Sequence, residues 1–438
     1  MTRITSIPVI AAAMLSMSAV SAHAMDVYNC KELIHCLNNS MDVTLMNDIK
    51  MDINAYKDYI DFNHTCCYKA NFDGQGHKIY GIWGRGYSVT NSGLIHWCDG
   101  ATVKNVTVEY DRLTCYSTVG GIAGAAKNST FENCHVKGIL LTDNSDDGYT
   151  GGIVGKGDKC KFYNCTFDGN ICADGICAGG IVAYTNGHTE IHDCHVTGYV
   201  GAKGSGNIFR TDGYVGGMVG KMDYSKGSTI SNCINDARVE SNGCYIGGIV
   251  GGTKSESGCG SWLGITNCTN TGAVAGQGDA RDIGGIIGFP CYTTMVIENC
   301  TTTGNISGDD YIGGIYGSFS NNHETMEIRN CNVSGRIYTE GDNLPLCGYD
   351  YDAVWSTYVG AKGCKDTARY FRNDNEFDPY KKINRTQSLI TDFDVQPAEE
   401  ATTAPAATTP AAKKVMVIGK LTLVKSNGTT IDISGMMR

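Results

Sequence analysis

Seven of the chain's 21 cysteines recur in one setting. They read ENCHVKG around Cys134, YNCTFDG around Cys165, HDCHVTG around Cys194, SNCINDA around Cys233, TNCTNTG around Cys268, ENCTTTG around Cys300 and RNCNVSG around Cys331. Thiols gathered in this way could serve a metal or a redox centre. Zinc wants a tetrahedral ligand set, however, and none of these motifs holds a CxxC pair. Single thiols one repeat apart fit better as a column of small, weakly polar side chains filling a narrow interior. The other 14 (21 minus 7) sit at irregular places such as Cys66, Cys67, Cys172 and Cys177. Disulfides among them are compatible with an exported chain, and Cys30 and Cys36 could close a local bridge.

The acidic candidates are Asp143, Asp146 and Asp147 in DNSDDG, and Asp309 with Asp310. Residues 143 to 148 match the first half of a calcium loop, yet Val154 stands where its bidentate Glu belongs. Calcium is thus the ion these three aspartates would take, and nothing in the sequence requires a cofactor. Carboxylates from separate repeats could also act as acid and base on a polysaccharide, an arrangement that leaves no local motif. No G-x-S-x-G elbow, HExxH helix or Walker loop occurs, so peptidase, esterase and nucleotide-hydrolysing readings lack support. Aromatics concentrate late, with Tyr349, Tyr351 and Trp355 the ones suited to stacking on sugar rings. The alternative, a cap that covers the last repeat with those rings, is the better fit.

These residues need a scaffold, and the sequence supplies one by repetition. A glycine pair inside an apolar run precedes each cysteine motif: VGGIAG, TGGIVG, AGGIVA, VGGMVG, IGGIVG, IGGIIG and IGGIYG. The second glycines are Gly121, Gly152, Gly180, Gly217, Gly248, Gly285 and Gly314, giving steps of 31, 28, 37, 31, 37 and 29 residues. Paired helices would not tolerate so elastic a step. The variable stretches, such as Ala202 to Asp212 and Thr253 to Trp262, are polar and Gly/Ser-rich, as loops projecting from a coil should be. Within a repeat, Thr130, Glu132, Cys134 and Val136 alternate with period two, the strand signature.

Short strands stacked at a fixed period predict an all-β, right-handed parallel β-helix of about seven regular coils, plus the coils leading into them. At about 4.8 Å per coil, seven coils span roughly 34 Å. Asn133, Asn164, Asn232, Asn267, Asn299 and Asn330 precede the cysteines, with Asp193 the exception. They are placed to form a hydrogen-bonded column where the chain turns. The glycine pairs should allow positive φ or close backbone approach at a corner.

Composition agrees: 57 Gly, only 7 Pro, and charged residues at 18% suit strands and tight turns better than helices. A net charge of -10 supplies no basic field, so nucleic acid is not an expected partner. Residues 1–24 read as an export signal, with Arg3 ahead of an apolar run and Ala22-His23-Ala24 as the cleavage pattern. Ser6, Pro8, Ser16 and Ser18 interrupt that run, so no transmembrane span is expected there or later. Residues 25–71 should form an N-terminal cap, with a short amphipathic helix from Cys30, and the first coils. Residues 72–340 hold the repeats and 341–395 a C-terminal cap. A Pro/Thr/Ala linker follows at 396–412, and a small β-unit at 413–438 whose Ser426-Asn427-Gly428 predicts a hairpin.

The VGGIVG and NCxxxG units resemble the GLUG repeat family, found in large bacterial surface proteins and some secreted peptidases. FDGQGHKIYGI from Phe72 extends the likeness upstream, to coverage of about residues 43 to 340. The resemblance implies a stalk-like or adhesive module at the outer cell surface. The last residues resemble the C-terminal sorting domains of type IX secretion, implying the secretion machinery as a partner. Asp432-Ile433-Ser434-Gly435 matches, but Met436 and Met437 replace the expected Arg. The function expected is a secreted or cell-surface binding module contacting a surface, glycan or protein. Polysaccharide lyase or glycoside hydrolase chemistry is the alternative.

Overall fold

The computed structural model describes residues 24–52, 67–86, 90–143, 148–203, 213–243, 245–256, 259–278, 280–319, 325–339, 347–350, 359–372, 375–377, 422–424 and 430–432. Those before residue 378 form a parallel β-solenoid whose coils build three sheets. One coil shows the rule. Val154–Asp158 leads into Lys161–Tyr163, Asn164 turns the chain, and Thr166–Asp174 follows. Cys177–Gly179 then bends at Gly180 into Val182–Asn186, which pairs in register with Val154–Asp158 of the coil before.

Stacked coil upon coil, the first segment type builds a nine-stranded sheet from Ile95–Asp99 to Cys347–Asp350. The short strands before the glycine pairs build an eight-stranded sheet, from Asn91–Ser92 to Asp310–Gly313. The remaining segments belong to one long sheet, folded along its length at the asparagine turn. Nine coils at about 4.8 Å make a stack of roughly 40 Å.

Alternation decides what fills the interior. In Thr166–Asp174, Phe167 and Ile171 are buried while Asp168 is exposed. One continuous apolar core runs from Val27 to Tyr370. Its cysteine column holds Cys134, Cys165, Cys194, Cys233, Cys268, Cys300 and Cys331, each at most 1% exposed. Each thiol donates to the carbonyl two residues earlier, as from Cys268 to Thr266 at 3.3 Å. Cys364 adds an eighth member, in a coil that the broken repeat pattern after residue 340 does not announce. That coil ends in an antiparallel turn-back of Asn375–Phe377 on Arg369–Arg372.

At the other end, the helix Cys30–Asn38 starts at Asn29, whose side chain accepts from the Lys31 and Glu32 amides at 3.1 Å. It buries Leu33, Cys36 and Leu37 against the first coil. Cys30 and Cys36 are free thiols, not the bridge their spacing allowed. Residues six apart on a helix point about 120° away from each other, which keeps the two sulfurs on different sides.

The asparagine turns carry the positive φ, from 51° at Asn133 to 55° at Asn232. The glycine pairs do not; they serve close approach. A Cβ on Gly152 would stand 1.9 Å from the Gly180 carbonyl oxygen, and one on Gly217 2.1 Å from that of Gly248. At Gly121, Gly180, Gly248 and Gly285 the same contact with the next pair's carbonyl would fall at 2.1 to 2.4 Å. On Gly314 the obstacle is Val333, at 2.5 Å. Late in the sequence, Thr422–Val424 pairs antiparallel with Thr430–Asp432. Among the described residues no helix is long and apolar enough to cross a membrane.

Candidate functional site

The outer face of the long sheet carries the densest polar chemistry. Residues two apart on one strand share a face, and in-register neighbours lie one coil away, so side chains fall into ranks. On the strand after the asparagine turn the ranks are His135, Thr166, His195, Ile234, Thr269 and Thr301, beside Lys137, Asp168, Thr197, Asp236, Thr271 and Thr303. Four bonds tie members of these ranks to one another. His135 Nδ1 contacts the Thr166 hydroxyl at 2.8 Å, and Thr197 donates to Asp168 at 2.8 Å. His195 Nε2 meets Asp236 at 2.7 Å, and the Thr271 hydroxyl donates to the other oxygen of the same carboxylate. Partial burial opposes ionisation of Asp236, but Thr271 and His195 outweigh it and hold the carboxyl below its ordinary range.

On the strand before the turn, Lys161, Tyr163, His188, Glu190, His192, Thr229 and Ser231 make a second cluster. Glu190 accepts from the Tyr163 hydroxyl, from Lys161 Nζ at 2.9 Å and from His188 at 2.8 Å. The Tyr163 bond is the largest influence, and together these donors bring the Glu190 carboxyl down to about 2. Burial and the same carboxylate push the Tyr163 hydroxyl up to about 12. The Tyr163 and His192 rings stack at 5.6 Å. Both clusters meet at HTEIHDCH, residues 188 to 195, where alternating His, Glu and His face outward. In the sequence that string reads as one more variant of the repeat; only stacking shows that its polar residues meet Lys161, Tyr163 and Asp236 from other coils.

Between the two clusters runs the asparagine ladder. Asn105 donates to Asp73 at 3.1 Å, Asn133 to Asn105 at 2.9 Å and Asn164 to Asn133 at 2.8 Å. Asn232 donates to Asp193, Asn267 to Asn232 and Asn299 to Asn267. Asn330 holds the same left-handed turn, with φ 53°.

A further cluster lies where the eight- and nine-stranded sheets adjoin, with Tyr214 buried and Tyr149 and Tyr245 partly buried against it. The Tyr214 and Tyr245 rings meet at 4.6 Å with a tilt of 36°, and Tyr245 stacks on Phe289 at 4.7 Å. Lys156 lies 3.9 Å from the Tyr149 ring centre, and Lys221 lies between Tyr184 and Tyr214 while pairing with Asp223 at 3.1 Å. Near this junction sits Asp282, 2% exposed, with φ 60° and an accepted bond from Ser318. Burial raises its carboxyl to about 6, against the pull of Ser318 and of Arg281 3.8 Å away.

Of the residues singled out in the sequence, Asp143 follows the strand Thr130–Thr142 with its amide bonded to the Cys115 carbonyl at 2.9 Å, while Asp146 and Asp147 lie outside the described residues. Among the described residues no group of three or more His, Cys, Asp and Glu is arranged to hold a metal. Tyr349 falls in the last strand of the nine-stranded sheet, in register with Ser318; Tyr351 and Trp355 lie outside the described residues. The cysteine column is interior, and burial, with contact between neighbouring thiols, drives Cys134 and Cys194 far above the ordinary thiol range. Such thiols are inert packing groups.

No protein-family model matches the chain, and no curated protein matches it. One solved structure, named as a "putative immunoglobulin A1 protease" from Bacteroides ovatus, is similar to it with 16% identity and a TM-score of 0.35. The similarity spans 81% of this chain and 79% of that one. At that level no function passes from one chain to the other.

Proposed function

We propose that the chain is an exported, surface-displayed binding module of the GLUG-repeat kind, whose rod presents a fixed hydrogen-bonding face to an extracellular surface, glycan or protein. The observation that carries this reading is the rank of His135, Thr166, His195, Thr269 and Thr301 beside Asp168, Thr197, Asp236 and Thr271. His135 with Thr166, Thr197 with Asp168, and His195 and Thr271 with Asp236 are paired before any ligand arrives, so these side chains have little freedom left to lose on contact. Two carboxylates of this face, Glu190 before the turn and Asp236 after it, are also the wrong ones for acid catalysis. Glu190 at about 2 and Asp236 below its ordinary range stay ionised and have no proton to give. The N-terminal 24 residues and the sorting-like tail support delivery outside the cell.

The polysaccharide-cleaving alternative has one residue in its favour. Burial raises Asp282 to about 6, an acid's hold on its proton, but at 2% exposed it would reach a substrate only if the coils around it opened. A direct test is binding of the purified chain to glycan arrays and to protein-coated surfaces, run beside reducing-sugar release from the same polysaccharides. The binding reading expects retention without release, and loss of retention in a His195→Ala/Asp236→Ala double variant. Release of reducing ends that disappears in Asp282→Asn would replace it with the enzymatic reading.

A further inference from the structure

We infer that the nine-stranded sheet carries a subsite for a neutral pyranose ring at Trp97, near the N-terminal end of its outer face. The inference deepens the binding reading above and rests on it. Trp97 is 41% exposed, and it projects from the same outward row as Ala125, Lys156, Tyr184 and Lys221. What distinguishes it from the other aromatics on this side of the rod is its neighbours. Tyr214, Tyr245 and Phe289 cover each other, and Tyr149 is covered by Lys156. The in-register neighbour of Trp97 is Ala125, whose single methyl is too short to cover an indole. On the other side the Tyr68–Cys98 bridge places Cys67 opposite, which again carries no ring.

An open indole is the platform on which the apolar C–H face of a pyranose lies, and the ring hydroxyls then need polar groups at its rim. They are present two residues along the strand. Asp99, in register with Lys127, accepts from Asn128 Nδ2 at 3.1 Å; the Lys127 side chain is 47% exposed and lies 3.8 Å from Asp158. Acidic and basic groups alternate in this row (Asp99, Lys127, Asp158), so it offers no single sign of charge. A polyanion or polycation gains nothing here, whereas hydroxyls meet both donors and acceptors. The ligand class that fits is therefore an uncharged polysaccharide of pyranose units.

The test uses the full chain in affinity electrophoresis through gels containing xyloglucan, galactomannan or laminarin, with wild type compared against Trp97→Ala, Trp97→Phe and Trp83→Ala. Trp83 is 51% exposed but stands on the long sheet, and serves as the control indole. The expected result is retardation of wild type by at least one neutral polymer, about tenfold weaker in Trp97→Ala, partly kept in Trp97→Phe and unchanged in Trp83→Ala. Equal retardation of Trp97→Ala and wild type overturns the subsite and leaves the binding reading standing. Retention of wild type only on protein-coated surfaces also overturns the subsite alone. Wild type retained on neither glycans nor proteins overturns both.

Discussion

Asn164 donates its side-chain amide to Asn133 at 2.8 Å, but one coil on Asp193 breaks the ladder, because a carboxylate accepts and has no proton to pass down. Asp193 still receives from Asn232 at 3.1 Å and holds the same left-handed turn, with φ 57°. At the ladder's first rung the same chemistry is an advantage. Asp73 accepts from Asn105, the Gln75 amide and Lys104. We expect Asp193→Asn to join the two halves of the ladder and stabilise the rod by about 0.5–1 kcal/mol. The urea midpoint should rise at unchanged slope; a fall would show that the carboxylate has a role the ladder does not describe.

The glycine pairs give the sharpest contrast available in one residue type. A Cβ on Gly248 would lie 2.2 Å from the Gly285 carbonyl oxygen and 2.4 Å from the buried Asn270 side chain, neither of which can move without its coil. On Gly278 it would meet nothing within 4 Å, although φ is 61°. Gly248→Ala should therefore cost about 3 kcal/mol or more, and Gly278→Ala about 1 kcal/mol from backbone strain alone. Thermal melts of both variants decide it, and equal losses would refute the steric account.

The coil architecture was legible because its determinants are local and repeated. A glycine pair, a period-two run and a turn before Cys recur seven times, the turn residue being Asn in six and Asp193 in one, and each marks a position where stacking allows few alternatives. Cys364 carries no such flag, because Lys-Gly-Cys lacks the asparagine that marks the other turns. The interior substitution of Asn235 and Asn270 at a position held by Val136, Phe167 and Val196 elsewhere is equally quiet. These two amides bond to each other at 2.8 Å and to the Ala237 and Gly272 carbonyls, so the polar pair is satisfied within the core. The polar face of the long sheet was not legible for a different reason. His195 and Asp236 are 41 residues apart in sequence and one coil apart in space, and the loop lengths that bring them together follow no motif.

The cysteine column makes a graded prediction. Cys268 is fully buried, and its thiol bonds to the Thr266 carbonyl at 3.3 Å. A serine hydroxyl at that place can donate to the same carbonyl, so the cost of Cys268→Ser comes from the smaller atom and from a second lone pair without a donor. We expect a loss of about 1–2 kcal/mol, with export unaffected. Cys268→Ala should lose about as much through the cavity it leaves. A melting temperature equal to wild type in both variants would mean that the column is not packed.

Asp282 predicts a pH dependence opposite to that of the surface carboxylates. Its folded-state carboxyl is raised to about 6 from 3.8, so the folded chain prefers the protonated acid more strongly than the unfolded chain does. That preference stabilises fully below the unfolded value, near 4, and is lost as pH rises through about 6. Above it, the fold carries a buried ionised group supported by Ser318 and by Arg281 3.8 Å away. The difference between the folded and unfolded carboxyl corresponds to about 3 kcal/mol. Asp282→Asn keeps an acceptor for the Ser318 hydroxyl and removes the charge. The variant should therefore match wild type near pH 4 and become more stable by up to about 3 kcal/mol between about pH 6 and 8. Glu190 sets the opposite slope, since its carboxyl, held at about 2, stabilises above pH 4.5 and loses that contribution only as pH falls toward 2. Urea titrations of wild type and Asp282→Asn across about pH 4 to 8 separate the two, and parallel stability curves would show that the Asp282 carboxyl is not raised.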